Sequence, residues 1–211
     1  MLSVHGRKPV RRFVEPVAKA LLDAGVSANT TTVVGTVVAV ALSAVLIPAD
    51  YLVAAAIAIG LFSAFDMVDG TMARLSGGGT AFGATLDASC DRITDGALFG
   101  AIAMWLIYVD HAHPAHVAAC LTVLVLSQTI SYIKARAEAG GINIVGGLVE
   151  RPERLIIALV GLGLEGFGVL HAVEIAVWLL LVGSVITVVQ RLKIAARDPR
   201  ARAPLAPPPG A

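Results

Sequence analysis

The chain has 211 residues, 57% of them hydrophobic and 15% charged, with a formal net charge of +1 and a mean hydropathy of +0.82. About a quarter of a soluble domain's residues are charged. This composition therefore excludes an ordinary water-soluble core and points to a bilayer, and nucleic acid is not an expected partner. Cys90 and Cys120 both fall in apolar stretches and read as small buried hydrophobes, not as a disulfide framework.

The first 29 residues hold Arg7, Lys8, Arg11, Arg12 and Lys19 but no uninterrupted apolar run, so no cleavable signal peptide is expected. Val10, Phe13, Val14, Val17 and Leu21 recur at helical spacing, with Arg11, Arg12, Glu15, Lys19 and Asp23 on the other face. That pattern predicts an amphipathic helix in the membrane interface, bent at Pro16. The alternative is a plain basic flank that sets topology.

Six apolar segments then approach the roughly 20 residues a spanning helix needs: residues 30–47, 52–73, 82–109, 115–137, 155–168 and 173–194. The third has polar first turns, and the fifth is short. Pro48-Ala49-Asp50, Ser76 to Gly79, Asp110 to Pro114, Gly140-Gly141 and Glu165-Gly166 punctuate them. All 16 Lys and Arg residues lie at the N-terminus, between 74 and 92, between 134 and 154, or after 190. In a six-span arrangement these places share one side, which the positive-inside rule makes cytoplasmic, together with both termini. The expected architecture is therefore an all-α integral membrane protein of six transmembrane helices, preceded by an interfacial helix. Residues 1–29 form its cytoplasmic N-terminus, 30–197 the helical domain, and 198–211 a disordered proline-rich tail.

Ionised carboxylates in membrane segments are costly and mark function. Five lie close together: Asp66, Asp69, Asp87, Asp91 and Asp95. Asp66 and Asp69 are i,i+3 neighbours, and Asp87 and Asp91 are i,i+4 neighbours, so each pair shares a helix face. The short loop at 75–81 predicts adjacent antiparallel helices whose carboxylates converge just below the cytoplasmic surface. Four such oxygen donors call for a hard divalent cation such as Mg²⁺, Mn²⁺ or Ca²⁺. His5, His111, His113, His116 and His171 read as surface or interface residues, so zinc is not expected. Gly70 permits close approach to the backbone, Arg74 can pair with a phosphate, and Gly83 sits one turn before Asp87. Asp95 is either a cavity-lining or a structural acid.

The string Asp66-x-x-Asp69-Gly70-x-x-Ala73-Arg74, eight residues, then Gly83-x-x-x-Asp87-x-x-x-Asp91 resembles the signature of the CDP-alcohol phosphotransferases at all eight defining positions. Such enzymes transfer a substituted phosphate from a CDP-linked donor to an alcohol and release CMP. The resemblance implies that Asp66, Asp69, Asp87 and Asp91 hold metal: Mg²⁺, with Mn²⁺ as an alternative, in a two-ion site. It makes Asp91 the general base as well. It further implies that Asn29, Thr30, Thr31, Thr32, Gly70, Arg74 and Thr80 contact the donor. Asn29 is also expected to cap a helix beginning at Thr30. The depth of the site points to a lipid donor, CDP-diacylglycerol. The resemblance also suggests a homodimer, in a cell membrane.

For the acceptor, Ser131 and Lys134 share one helix face, Arg151 and Arg154 another, and Arg191 ends the last span. Such a basic cluster suits a second phosphate, so a phosphorylated alcohol is expected. The runs KARAEAGGINIVGGLVERPERL and RKPVRRFVEPVAKALLDAGVSANTTT are similar to an actinobacterial branch of the family. That branch joins CDP-diacylglycerol to inositol 1-phosphate (1D-myo-inositol 3-phosphate). The alternative acceptor is glycerol 3-phosphate, which needs much the same basic pocket. A more distant alternative is a metal or ion transporter lined by the acids.

Overall fold

The computed structural model describes residues 7–202, without the side chains of residues 7–13 and 64–66. Its elements are all helical: α1 (Arg7–Asp23), α2 (Ala28–Leu46), α3 (Leu52–Leu75), α4 (Ala81–Tyr108), α5 (Pro114–Ala139), α6 (Arg151–Gly166) and α7 (Ala172–Arg197), then a 3₁₀ turn, Pro199–Arg202. That turn falls inside the segment expected to be disordered; most of the proline-rich tail lies outside the described residues.

Local chemistry accounts for the helix ends. Ser27 starts α2 by accepting the Thr30 amide at 3.1 Å. The cap is therefore Ser27 rather than Asn29, which is placed in the first helical turn. Thr80 starts α4 by accepting the Gly83 amide at 2.9 Å. Pro114 opens α5, and His113 Nδ1 accepts the Ala115 amide at 3.2 Å. At α6 the Glu153 carboxylate reaches back to the Glu150 amide at 3.2 Å. This helix begins four residues before the apolar run that predicted it, because its first turn, Arg-Pro-Glu-Arg, is polar. The turns between α2 and α3, α4 and α5, and α6 and α7 each carry one left-handed non-glycine residue: Asp50, His111 and His171. Asp and His tolerate that conformation better than bulkier residues. Asp50 also accepts Trp105 Nε1–H at 2.7 Å, tying its turn to the end of α4.

By length and composition four helices, α2, α3, α5 and α7, can cross a membrane. The other two predicted spans depart for visible reasons. In α4, Asp87, Asp91, Arg92 and Asp95 all fall between its start at Ala81 and its midpoint region, leaving only the later part of its 28 residues apolar. Helix α6, with 16 residues, is about 24 Å long, against a hydrocarbon core of about 30 Å. The outward faces are apolar: Val34, Val37 and Val45 on α2, Ile57 and Leu61 on α3, Val125 on α5, and Leu179, Val182 and Val185 on α7 are all exposed. A surface of that kind belongs in lipid, and the chain is a membrane protein.

Inside, α2 packs on both α3 and α4, α3 on α6, α4 on α5, and α7 on α5 and α6. Helix α1 lies on α3 through Val14, Ala18, Leu21 and Leu22 against Val68 and Met72. Part of the stripe expected to face lipid thus docks on protein, while Val17 stays exposed. Val10 and Phe13 lie outside the described side chains. The main core gathers Leu52, Ala55 and Ile59 of α3 with Leu98–Leu106 of α4 and with α5, α6 and α7. Small residues bring α6 and α7 together: a Cβ on Gly161 would stand 2.6 Å from the Ala176 Cβ.

Helices α3 and α4 were expected to pack side by side across their short loop. Among the described residues they make no extensive contact; α2 bridges them instead. The end of α3, the start of α4 and the start of α2 border the space the site occupies.

Candidate active site

The larger cavity, about 880 Å³, is bounded by the start of α2, the end of α3, the 76–80 loop and the start of α4. Asn29 and Thr32 come from α2, Asp69 and Gly70 from α3, Gly78, Gly79 and Thr80 from the loop, and Gly83 and Asp87 from α4. Asp69 is buried, and its Oδ2 accepts the Thr32 hydroxyl. Asp87 is exposed. Gly77 and Gly78 have φ of 95° and 117°, a backbone that favours glycine, so the loop turns without side chains to fill the entrance. At Gly83 an added Cβ would stand 3.1 Å from Thr80 Oγ1 and 3.2 Å from Asn29 Oδ1. The first residues of α2 and α4, Ala28 and Ala81, also line the wall. Two helix N-termini thus present amide groups that favour a bound anion. Carboxylates and helix N-termini in one cavity suit a metal–phosphate ligand better than either ion alone.

The other residues expected at the donor are placed differently. Thr30 is exposed, and its hydroxyl pairs with Ser27 Oγ at 2.9 Å. The Thr31 hydroxyl meets Ser27 O at 3.2 Å and Met72 Sδ at 3.4 Å. Neither lines the cavity. Arg74 is exposed beside it, with Nη2 donating to Thr71 Oγ1 at 2.8 Å. Asp66 lies on α3 one turn before Asp69 and Gly70, but its side chain is outside the described residues.

A second cavity of about 360 Å³ adjoins the next turn of α4. All five residues expected to hold an acceptor phosphate line it: Ser131 and Lys134 of α5, Arg151 and Arg154 of α6, and Arg191 of α7. Asp91 lines it too, with Arg92, Glu138 and Glu150. Five basic side chains face three acidic ones, so the pocket favours an anion. Arg151 Nη1 lies 2.9 Å from Asp91 Oδ1, and Lys134 Nζ lies 3.8 Å from Glu138 Oε1. Arg191 is fixed by Ile130 O at 2.8 Å, Gly146 O at 3.3 Å and Glu150 Oε1 at 3.1 Å. Arg154 is 2% exposed, and Asp95 Oδ2 accepts from its Nη2 at 2.8 Å.

Asp87 and Asp91 therefore face different cavities from one face of α4, one turn apart. Among the described residues no histidine or cysteine lines either cavity. Among the described residues no three His, Cys, Asp or Glu side chains stand grouped around one point; that leaves Asp66 out of account. The donors available are hard carboxylate oxygens, which suit Mg²⁺ or Mn²⁺. Sequence reading did not anticipate Glu150 as the partner of Arg191, or Thr32 as the partner of Asp69. Neither contact has a local signal, because each pairs residues about 40 positions apart.

Residues 26–189 match the model of the CDP-alcohol phosphatidyltransferases. The chain belongs to this family. As a CDP-alcohol phosphatidyltransferase it is a transferase, and the matched residues supply the lining of both cavities except Leu22 and Gly25 of the larger and Arg191 of the basic one. It is 58% identical over 202 residues to the phosphatidylinositol phosphate synthase of Corynebacterium glutamicum, covering 96% of this chain and 92% of that protein. Its fold is similar to the crystal structure of Mycobacterium tuberculosis phosphatidylinositol phosphate synthase with CDP-DAG bound: TM-score 0.88, 46% identity, 93% of this chain and 100% of that one covered. The structure of the M. tuberculosis enzyme with manganese and citrate is also similar, with TM-score 0.86, 47% identity, and 92% and 93% coverage.

Proposed function

We propose that this chain transfers the phosphatidyl group of CDP-diacylglycerol to inositol 1-phosphate (1D-myo-inositol 3-phosphate), giving phosphatidylinositol phosphate and CMP. One observation carries the reading: a carboxylate- and helix-N-terminus-lined cavity adjoins a basic one, and Asp87 and Asp91 of a single helix face lie on either side of the division. The first suits a cytidine pyrophosphate, the second a sugar phosphate. The relatives named above, with CDP-DAG bound in one structure and manganese in another, support both halves.

Asn29, Thr32, Gly70 and Thr80 border the donor nucleotide, with Arg74 at the rim. Lys134, Arg151, Arg154 and Arg191, with Ser131, hold the acceptor phosphate through charge-assisted hydrogen bonds and so fix where its hydroxyl lies. Asp91, on the wall of the same pocket, takes the hydroxyl proton. The freed oxygen forms a bond to the phosphorus that carries diacylglycerol, and the phosphorus–oxygen bond to CMP breaks. Asp66, Asp69 and Asp87, with Asp91, would hold Mg²⁺ or Mn²⁺ as a pair of ions. When bound, such ions neutralise the pyrophosphate and the departing CMP.

All six long apolar-patterned helices, α2 to α7, cross the cell membrane in this reading. The shorter α6 is completed by its flanking residues, and the basic ends with both cavities face the cytoplasm. The donor's acyl chains then lie in the bilayer beside the larger cavity.

Membranes containing the protein, CDP-diacylglycerol, inositol phosphate and Mg²⁺ should release CMP. Chelating the metal should stop the release, and added Mn²⁺ should restore it. Release unaffected by chelation, or metal movement across the bilayer without CMP formation, would overturn the reading.

A further inference from the structure

Asp95 lies outside the family signature, yet three cations converge on it. Its carboxylate is buried, one turn beyond Asp91 on α4. Its Oδ2 accepts from Arg154 Nη2 at 2.8 Å and lies 3.7 Å from Arg92 Nη2, while its Oδ1 lies 3.8 Å from Arg151 Nε. One carboxylate thus meets three guanidiniums from two helices, and all three of those arginines line the basic pocket.

The two deeply buried arginines of that pocket are held in different ways. Arg191 is tied by two carbonyls and Glu150. Arg154 has Asp95 as its hydrogen-bonding carboxylate, and its Nε and Nη1, both buried, have no hydrogen-bond partner among the described residues. A buried guanidinium without a counter-charge is strongly disfavoured and must move or be compensated. Asp95 provides that counter-charge through one nitrogen and leaves the remaining donors of Arg154 for an anion. It also offsets the mutual repulsion of Arg92, Arg151 and Arg154.

We propose that Asp95 is a positioning residue for the acceptor phosphate: it holds Arg154 and Arg151 in the arrangement that receives the phosphate, without touching the substrate. This inference rests on the acceptor reading above. It adds a residue of opposite charge to a site that otherwise selects for anions.

The test is a comparison of steady-state kinetics for wild type, Asp95→Asn and Asp95→Glu, with inositol phosphate and with glycerol 3-phosphate as acceptors. Asp95→Asn keeps the shape and removes the charge. It should raise the acceptor KM roughly tenfold or more, since losing a charged hydrogen-bond partner has effects of that order. The KM for CDP-diacylglycerol should stay within about twofold of wild type. Asp95→Glu should raise the acceptor KM less. Room for its extra methylene exists in a cavity of about 20 Å³ that Asp95 borders with Ser43 and Ser63. A purely structural role would lower the active fraction, and hence apparent kcat, at unchanged acceptor KM; that result overturns the proposal. If the Asn variant does not accumulate, the Glu variant decides on the same readout, and failure of both to fold counts against it. Turnover of glycerol 3-phosphate alone would displace the inositol phosphate reading while leaving Asp95 testable on that acceptor. A wild type inert toward both would sink the two together.

Discussion

Asp91→Asn gives a folded protein that still binds CDP-diacylglycerol and does not turn it over. The substitution preserves size and removes the charge, so packing around α4 is little disturbed. Asp91 borders the basic pocket rather than the larger cavity, where Asp69 and Asp87 remain in place. General base catalysis contributes about 10²–10⁴-fold, and kcat should fall by at least that much, since Asp91 is also proposed to help hold metal. Arg151, 2.9 Å from Asp91 Oδ1, keeps Asp95 nearby as a counter-charge. Binding of the donor by calorimetry, alongside CMP release, separates the two effects. Near-normal turnover in the variant would remove Asp91 from the role of base.

Arg154→Ala should raise the acceptor KM far more than the donor KM. Arg154 is deeply buried at the pocket wall, and two of its nitrogens have no hydrogen-bond partner among the described residues. A charge-assisted hydrogen bond is worth about 1.5–3 kcal/mol, which corresponds to roughly ten- to a hundredfold in KM. The truncation also leaves Asp95 with a buried charge and, among the described residues, Arg92 and Arg151 at 3.7–3.8 Å as its remaining cations. Thermal stability should therefore fall as well. A loss of folded protein scales apparent kcat and leaves KM unchanged, so the ratio of the two Michaelis constants isolates the pocket. Equal increases in both would move Arg154 to the donor side.

Much of this arrangement was legible in the sequence because helical periodicity is local. The i,i+3 and i,i+4 spacings of the acids, the glycines at 70 and 83, and the segregation of Lys and Arg need no tertiary information. All six apolar segments became helices, with ends shifted by a few residues where hydropathy and capping disagree: Arg151-Pro152-Glu153-Arg154 is too polar to read as a span, yet it forms the first turn of α6. Ser27 replaced Asn29 as the cap for a similar reason, since both are good capping residues and only the chain's path into α2 decides between them. Side-by-side packing of α3 and α4 followed reasonably from a short loop, but helix contacts depend on which surfaces interlock, and α2 fills the gap between them. The role of Asp95 was equally hidden. Its partners Arg151 and Arg154 lie more than 50 positions away, and nothing in either segment announces the pairing.

The identity of the acceptor is the most direct test. Membranes carrying the protein, given CDP-diacylglycerol, Mg²⁺ and an equimolar mixture of inositol phosphate, glycerol 3-phosphate and free inositol, can be extracted and their lipid products weighed by mass spectrometry. Phosphatidylinositol phosphate is expected as the dominant new lipid, formed in step with CMP. Phosphatidylglycerol phosphate or unphosphorylated phosphatidylinositol as the main product would contradict the proposed acceptor.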